Sequence, residues 1–293
     1  MGYKLKRSDE DVSEGLRRIA CDQLDRALAA LDGTGDKAEA VHDARKRCKK
    51  LRGLIRLVRP QFIDYKTENR ALRDAARRLS DLRETGAVLE ILTRLEQNYP
   101  ARLSGPNAAA LRDALKARRA ETQLDDFDSR RAAFRDALKA VSHRAALWEV
   151  DKTGFGAIEG GLKKTYKRAR AAWAMALETR DPRDLHQWRK RVKYHWYHTR
   201  LLKPLASKKL RRRIDRLGEL SDLLGDHQDL ADLRRMIDAE ALPPEAAQAL
   251  ASPLAIEMDR LQNRAFALAP KVLGKPPKAL VGSYRKRWKK WRG

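Results

Sequence analysis

VHDARKRCKKLR (residues 41–52) and LHQWRKRVKYHW (residues 185–196) decide the fold. Set one under the other, they pair His42 with His186, Arg45 with Arg189, Lys46 with Lys190 and Lys49 with Lys193, all at an offset of 144. At about 100° per residue, His42, Arg45, Lys46, Lys49, Arg52, Arg56 and Arg59 share one side of a helix, with Lys50 beside them in the run. Ala44, Cys48, Leu51, Leu54, Ile55 and Val58 take the other side. The second copy carries His186, Arg189, Lys190, Lys193, Arg200 and Lys203 on its stripe, with Trp196 in place of Arg52 and Tyr197 beside it. Both stretches therefore read as helices that pack by one face and offer a basic stripe on the other. Like charges at i,i+4 repel by a few tenths of a kcal/mol per pair. An ordinary solvated face would intersperse Glu, and these do not.

Outward from this pair the chain keeps repeating. LSDLRETGAVL (79–89) matches LGDHQDLADLR (224–234) at an offset of 145, with Asp81 on Asp226. EGLRR (14–18) matches GGLKK (160–164) at 146, which sets Arg17 on Lys163. Three matches in one order imply a single region, 1–293, built from two halves, 1–150 and 151–293. Few Gly and Pro residues and no period of two make the fold all-α. Each half is expected to be a four-helix-bundle-like unit, the two related by a pseudo-two-fold axis around a basic central cleft or pore. Ser8 with Asp11 reads as the capping box of the first helix, which runs to about Leu31. Helices are expected near 37–59, 63–83, 86–98, 107–121 and 125–147, then near 157–179, 182–203, 206–224, 226–239, 244–268 and 277–291. DHQD (226–229) reads as a helix start. More cations lie on the helices after the stripes: Lys66, Arg70, Arg73, Arg77 and Arg83, then Lys208, Lys209, Arg212, Arg213 and Arg216.

The charge narrows the function. The 293 residues hold 65 Lys and Arg against 40 Asp and Glu, a net charge of +25. Such a surplus opposes compaction, and a polyanionic partner relieves it. Apolar residues at helical spacing argue against disorder. No apolar run is long enough for a transmembrane helix, and the N-terminus has no secretory h-region. Cys21 and Cys48 fit no metal-ligand spacing and suggest a reducing compartment, so the cytoplasm is expected. There is no phosphate-binding GxxxxGK[ST] loop, no nucleophile elbow and no thiol or serine with an evident base. His42-Asp43 and Asp226-His227 invite comparison with helical metal-dependent phosphohydrolases, but the further ligands such a site needs are missing. No catalytic residue, metal or cofactor is expected. His42 and His186, each near a helix start among cations, are expected to be mainly neutral donors to phosphate at pH 7. His195 falls on the apolar side and reads as structural.

With H42-x-x-R45 and H186-x-x-R189 each followed by a basic run, and LSDLRE or LGDHQD later in each half, the sequence resembles the CHAD domain, the conserved histidine α-helical domain, in stand-alone form. The resemblance covers nearly the whole chain. It implies two helical bundles facing each other across a basic cleft that binds inorganic polyphosphate without a reaction, and it suggests association with polyphosphate granules. The family motif places binding roles on His42, Arg45, Lys49, Lys50, Arg52, His186, Arg189 and Lys193. The stripes and repeats add Lys46, Arg56, Lys190, Tyr197, Arg200, Arg17, Lys163, Arg73, Arg77, Arg83, Arg213 and Arg216 as further candidates. Trp196 departs from the pattern, where Arg is usual, so the two halves should contribute unequally. Ser80 and Glu84 depart where LGxxRD would be usual. The ExExK signature of a fused CYTH domain is absent, which leaves a polyphosphatase activity unsupported. Two rival readings remain: a nucleic-acid binder that stacks bases on Trp196, Tyr197 or Trp288, and the phosphohydrolase. YRKRWKKWRG (284–293) either grips a polyanion or anionic surface, or closes the bundle with its Trp residues buried.

Overall fold

A computed structural model describes residues 2–32, 36–79, 84–100, 103, 109–110, 112–117, 127–238 and 244–293, and among these every regular element is helical. The first, α1 (Val12–Ala29), starts at Asp11, whose carboxylate accepts the Glu14 amide at 2.7 Å while the Glu14 carboxylate takes the Glu10 amide. The capping box is thus Asp11–Glu14, three residues later than Ser8–Asp11. Ser8 lies instead in a turn fixed by buried Asp9, which accepts the Lys6 amide and a bidentate Arg18 guanidinium. Asp36 caps α2 (Lys37–Val58), and Pro60 closes it. α3 (Tyr65–Arg78), α4 (Glu84–Asn98), a short helical stretch over 112–117 and α5 (Phe127–Ala145) follow.

α6 (Gly156–Thr179) ends on Arg180 in the left-handed region, φ 52°, and Asp181 with Pro182 then starts α7 (Pro182–Leu201). α8 (Lys208–Asp238), α9 (Pro244–Leu273) and α10 (Pro277–Arg292) complete the chain. The break expected near 224–226 does not occur. A mid-helix Gly225 costs about 1 kcal/mol against Ala. Leu217, Leu220, Leu224, Leu230 and Leu233 stay buried along one continuous face and offset it. α9 likewise runs past Leu268 because Ala269, Val272 and Leu273 are buried.

The helix starts Val12 and Gly156, Lys37 and Pro182, and Tyr65 and Lys208 lie 144, 145 and 143 residues apart. α1, α2, α3 and α5 pack in a ring, and α6, α7, α8 and α9 pack in another. α2 joins them by packing on both α6 and α7. Two glycines allow that approach. A Cβ on Gly161 of α6 would lie 1.9 Å from the Leu57 carbonyl oxygen of α2, and one on Gly53 would lie 2.9 Å from Tyr197 of α7. Gly53 and Tyr197 are themselves a pair at offset 144. From the other side His198 Nε2–H donates to the Gly53 carbonyl at 3.1 Å. α4 crosses to the second ring and packs on α8, with Arg94 paired to Asp226 at 2.9 Å. No helix of the described residues is long and apolar enough to cross a membrane.

Candidate functional site

The apolar face read for α2 is buried as expected, with Ala44, Cys48, Leu51, Leu54, Ile55 and Val58 at 0–1% exposure. Its basic face is turned toward α7 and α3 and is only partly open. Arg45 donates to the Ala76 carbonyl at 3.1 Å and Arg52 to Asn69 at 3.2 Å, so both guanidinium groups are oriented by α3. Arg56 and Lys50 are buried, which a helical wheel for α2 alone does not foresee. Arg56 lies over the Tyr194 ring of α7 at 4.0 Å. Lys50 lies near the Tyr3 ring at 5.8 Å, and the Tyr3 hydroxyl donates to the Lys50 carbonyl at 2.7 Å.

The two stripes meet at the crossing of α2 with α7. Burial is the main cause that lowers the Lys50 pKa to about 8, and Arg47, Arg200 and Lys46 push the same way. Burial lowers Lys193 too, with Arg189, Arg200 and Lys46 adding to it and Asp222 opposing. Lys190 is lowered by burial, then by Arg191 and Arg52. Cations of the two halves thus act on one another: Lys46 on Lys193 and Arg52 on Lys190 from the first half, and Arg200 on Lys50 from the second. Asp222 of α8 sits among them, its own pKa raised by burial and Asp226 and opposed by Lys193 and Arg189. The result is a cluster of partly desolvated positive charge along the crossing. Gly218 and Gly225 of α8 lie against Trp196 and Arg189 beside it. Trp196 is clasped between Lys193 at 4.6 Å and Arg200 at 4.7 Å.

At the N-terminal end of α7 lies an open recess of about 830 Å³, lined in part by Arg183, His186, Gln228, Arg234 and Arg235. His186 Nδ1 is 2.5 Å from Gln228 Oε1, and Gln228 Nε2 donates to Asp232 at 2.6 Å. The Asp232 bond fixes the amide orientation, so His186 donates through Nδ1–H. Burial and then Lys190 lower the His186 pKa. The neutral ring therefore presents a bare Nε2, and it donates to a phosphate only after protonation. The expected neutral donor is corrected on this point.

Other candidates fall elsewhere. Tyr197 is buried against Gly53 and meets Tyr3 edge-on at 5.9 Å, so it packs the crossing. Arg213 turns inward, with its guanidinium 3.2 Å from His195 Nε2 and 5.6 Å from the Tyr166 ring. Arg17 donates to the Trp148 carbonyl at 3.2 Å, where it ties α1 to the end of α5. Arg73 pairs with its neighbour Asp74 at 2.8 Å. Arg77 and Arg216 are exposed and Lys163 is half-buried. Arg83, Ser80 and Asp81 lie outside the described residues, as does the Glu84 side chain. His195 is fully buried, as its apolar-side position implied. His227 lies mid-helix in α8 and is buried, and Asp226 is held by Arg94. Among the described residues no group of three His, Cys, Asp or Glu is arranged to hold a metal. Trp288 is buried against Phe155 at 6.0 Å and Trp291 at 5.2 Å, so α10 closes the bundle with that indole inward.

The CHAD domain family model matches residues 18–238. The crystal structure of the CHAD domain from the plant Ricinus communis is similar over 97% of this chain and 94% of that chain, at 18% identity and a TM-score of 0.59. PptA from Streptomyces chartreusis is similar over 88% of this chain and 98% of that chain, at 16% identity and a TM-score of 0.62. At these identities the two likenesses speak for the fold. A search of curated protein sequences gives no significant match.

Proposed function

The chain belongs to the CHAD domain family, and on that premise we propose that it binds inorganic polyphosphate, without chemical change, in the groove where α2 crosses α7. One observation carries the reading: cations of the two helices face each other closely enough that Lys46 lowers the proton affinity of Lys193, Arg52 that of Lys190 and Arg200 that of Lys50, each on top of burial. Burying like charges together costs free energy that a polyanion offsets on binding. The array extends along two helices, which suits a flexible chain of phosphates. Relating the halves by a pseudo-two-fold axis fits the contact between Gly53 and Tyr197, because positions on such an axis touch their own counterparts. Targeting to polyphosphate granules in the cytoplasm is the cellular role this reading suggests.

Calorimetry with long-chain polyphosphate and with mixed-sequence duplex DNA, both at about 150 mM salt, tests the proposal. Submicromolar polyphosphate binding with DNA at least about tenfold weaker supports it, and equal binding means unselective charge. By analogy with nucleic acids, six to ten contacts give a log–log salt slope on the order of −5 or steeper, and a flat titration overturns the electrostatic basis. The nucleic-acid reading has one observation in its favour, the half-buried Trp196 inside the groove. Quenching of indole fluorescence by an oligonucleotide but not by polyphosphate would establish it.

A further inference from the structure

α10 lies outside the residues that the family model matches. Its 16 residues hold Lys278, Arg285, Lys286, Arg287, Lys289, Lys290 and Arg292 and no acid. Leu280, Val281, Tyr284 and Trp288 are buried against the bundle, which leaves Arg285, Lys286, Lys289 and Lys290 exposed. Cations in a last turn are favoured by the helix dipole by about 0.3–1 kcal/mol, which accounts for Lys289, Lys290 and Arg292. It does not account for Lys278, Arg285 and Lys286 further up, and the i,i+4 pairs Arg285–Lys289 and Lys286–Lys290 are repulsive. Arg285 reaches Glu159 of α6, the one acid paired with the ridge among the described residues.

The ridge connects to the groove through the N-terminal segment. Arg292 donates to the carbonyls of Arg7 at 3.2 Å and Asp9 at 2.7 Å. The Leu5 amide donates to the Leu201 carbonyl at the end of α7 at 3.0 Å. Tyr3 completes the link, with its ring under Lys50 and Arg200. Tyr3 to Arg7 is five residues, at most about 18 Å of chain, and Lys4 and Arg7 are exposed along it.

We propose that α10 and the Lys4–Arg7 segment form a second polyanion-holding surface, continuous with the groove, that engages the length of a long polyphosphate chain extending beyond it. The proposal rests on the groove reading above. The aromatic residues point to phosphate rather than to bases or lipid: Trp288 is buried, and Trp291 is covered by the Arg292 guanidinium at 5.1 Å. The Trp288 indole offers no face for stacking or for insertion at an interface, and the half-buried Trp291 is already engaged by a cation.

The test is the exposed triple variant K286A/K289A/K290A, titrated beside the wild type with a chain of about ten phosphates and with one of several hundred. Long-chain affinity is expected to fall about tenfold and its salt slope to lessen by roughly 2 to 3, while short-chain affinity stays unchanged. No loss with the long chain, or equal losses with both, overturns the proposal. A groove variant, K46E/K193E, separates the two readings: loss of short-chain binding upholds the groove beneath the proposal. If the groove variant keeps both ligands, the groove reading falls and continuity with it. If the triple variant abolishes sedimentation with phosphatidylserine vesicles yet leaves long-chain polyphosphate binding intact, the ridge is a lipid surface and the proposal is wrong.

Discussion

α2 and α7 carry the same cations at the same spacing from opposite sides of one crossing, yet their neighbours treat them differently. On α2, Arg45 and Arg52 are oriented by polar groups of α3, and Arg52 reaches the groove as a charge. On α7 the position of Arg52 is Trp196, an indole clasped by Lys193 and Arg200. Where α2 has Lys50, α7 has Tyr194. Arg56 settles on the Tyr194 ring, and its counterpart Arg200 lies over Trp196 and Tyr3 while also acting on Lys50. The second stripe has two rings where the first has two charges. Helices at matching spacing supply the frame, and single differences decide how much unneutralised charge each side brings.

The largest expected effect comes from reversing charge where the two helices meet. K46E/K193E should weaken long-chain polyphosphate binding by about a hundredfold or more, roughly 3 kcal/mol, in a calorimetric titration. R131E/R135E reverses the same number of charges on α5, where Arg131 pairs with Asp128 and Arg135 with Asp32. That control should lose less than about threefold. Equal losses from both variants would mean diffuse attraction by the net charge rather than a groove.

The halves also differ in their histidines. His195 and His198 are fully buried in the second half, and burial lowers both, His198 to about 3. The unfolded chain takes up these protons near its ordinary value while the folded chain resists them. Stability is therefore present above about pH 6.5 and falls as the pH drops through the window between 6.5 and 3. For His198 alone the loss from pH 6.5 to 5 is about 2 kcal/mol. H198Q keeps an N–H for the Gly53 carbonyl but does not titrate in this range. Its denaturant midpoint should vary less between these pH values than the wild type's, and a parallel pH dependence would show that His198 is not responsible.

Much of this arrangement was legible in the sequence because it depends on local period. The buried face of α2, the recurrence of the basic stripes and the buried position of His195 follow from one helix at a time. The burial of Lys50 and Arg56 was not legible, because Tyr3 of the N-terminal segment meets the first and Tyr194 of α7 the second, and neither lies on their own helix. The neighbours of Arg17, Arg213 and Tyr197 were hidden for the same reason: a wheel gives the direction of a side chain but not which partner waits there. The unbroken α8 was hidden by Gly225 and Asp226, whose turn-like chemistry is overridden by leucines on one continuous buried face. His186 could be placed near a helix start, but its proton could not be assigned without Gln228 and Asp232.

A smaller effect tests the unequal stripes directly. W196R restores to α7 the charge that α2 has at Arg52, and should strengthen polyphosphate binding by about three- to tenfold while steepening the salt slope by about 1. R52W should do the reverse by a similar factor. If W196R weakens binding without loss of stability, the indole itself contacts the ligand and the second half is specialised rather than depleted.

The finest distinction between the stripes lies in protons. Lys50, lowered to about 8 by burial and by Arg47, Arg200 and Lys46, is about half-charged near pH 8 in the free protein. A phosphate chain laid beside it favours the ammonium, so binding at pH 8 should draw in up to about half a proton through α2. Affinity should then decline as the pH rises through 8. Titrations in buffers of different ionisation enthalpy measure that uptake. K50R, which stays charged, should abolish it without removing the cation. On α7 the same position is Tyr194, a ring in place of the ammonium. The second half answers at acid pH instead, through His186, whose Nε2 becomes a donor only when protonated. Affinity should rise again as the pH falls below 6.5, and H186Q should remove that rise but leave the uptake at pH 8 untouched. If K50R removed the acid-side rise as well, the two protonations would belong to one coupled cluster instead of two distinct halves.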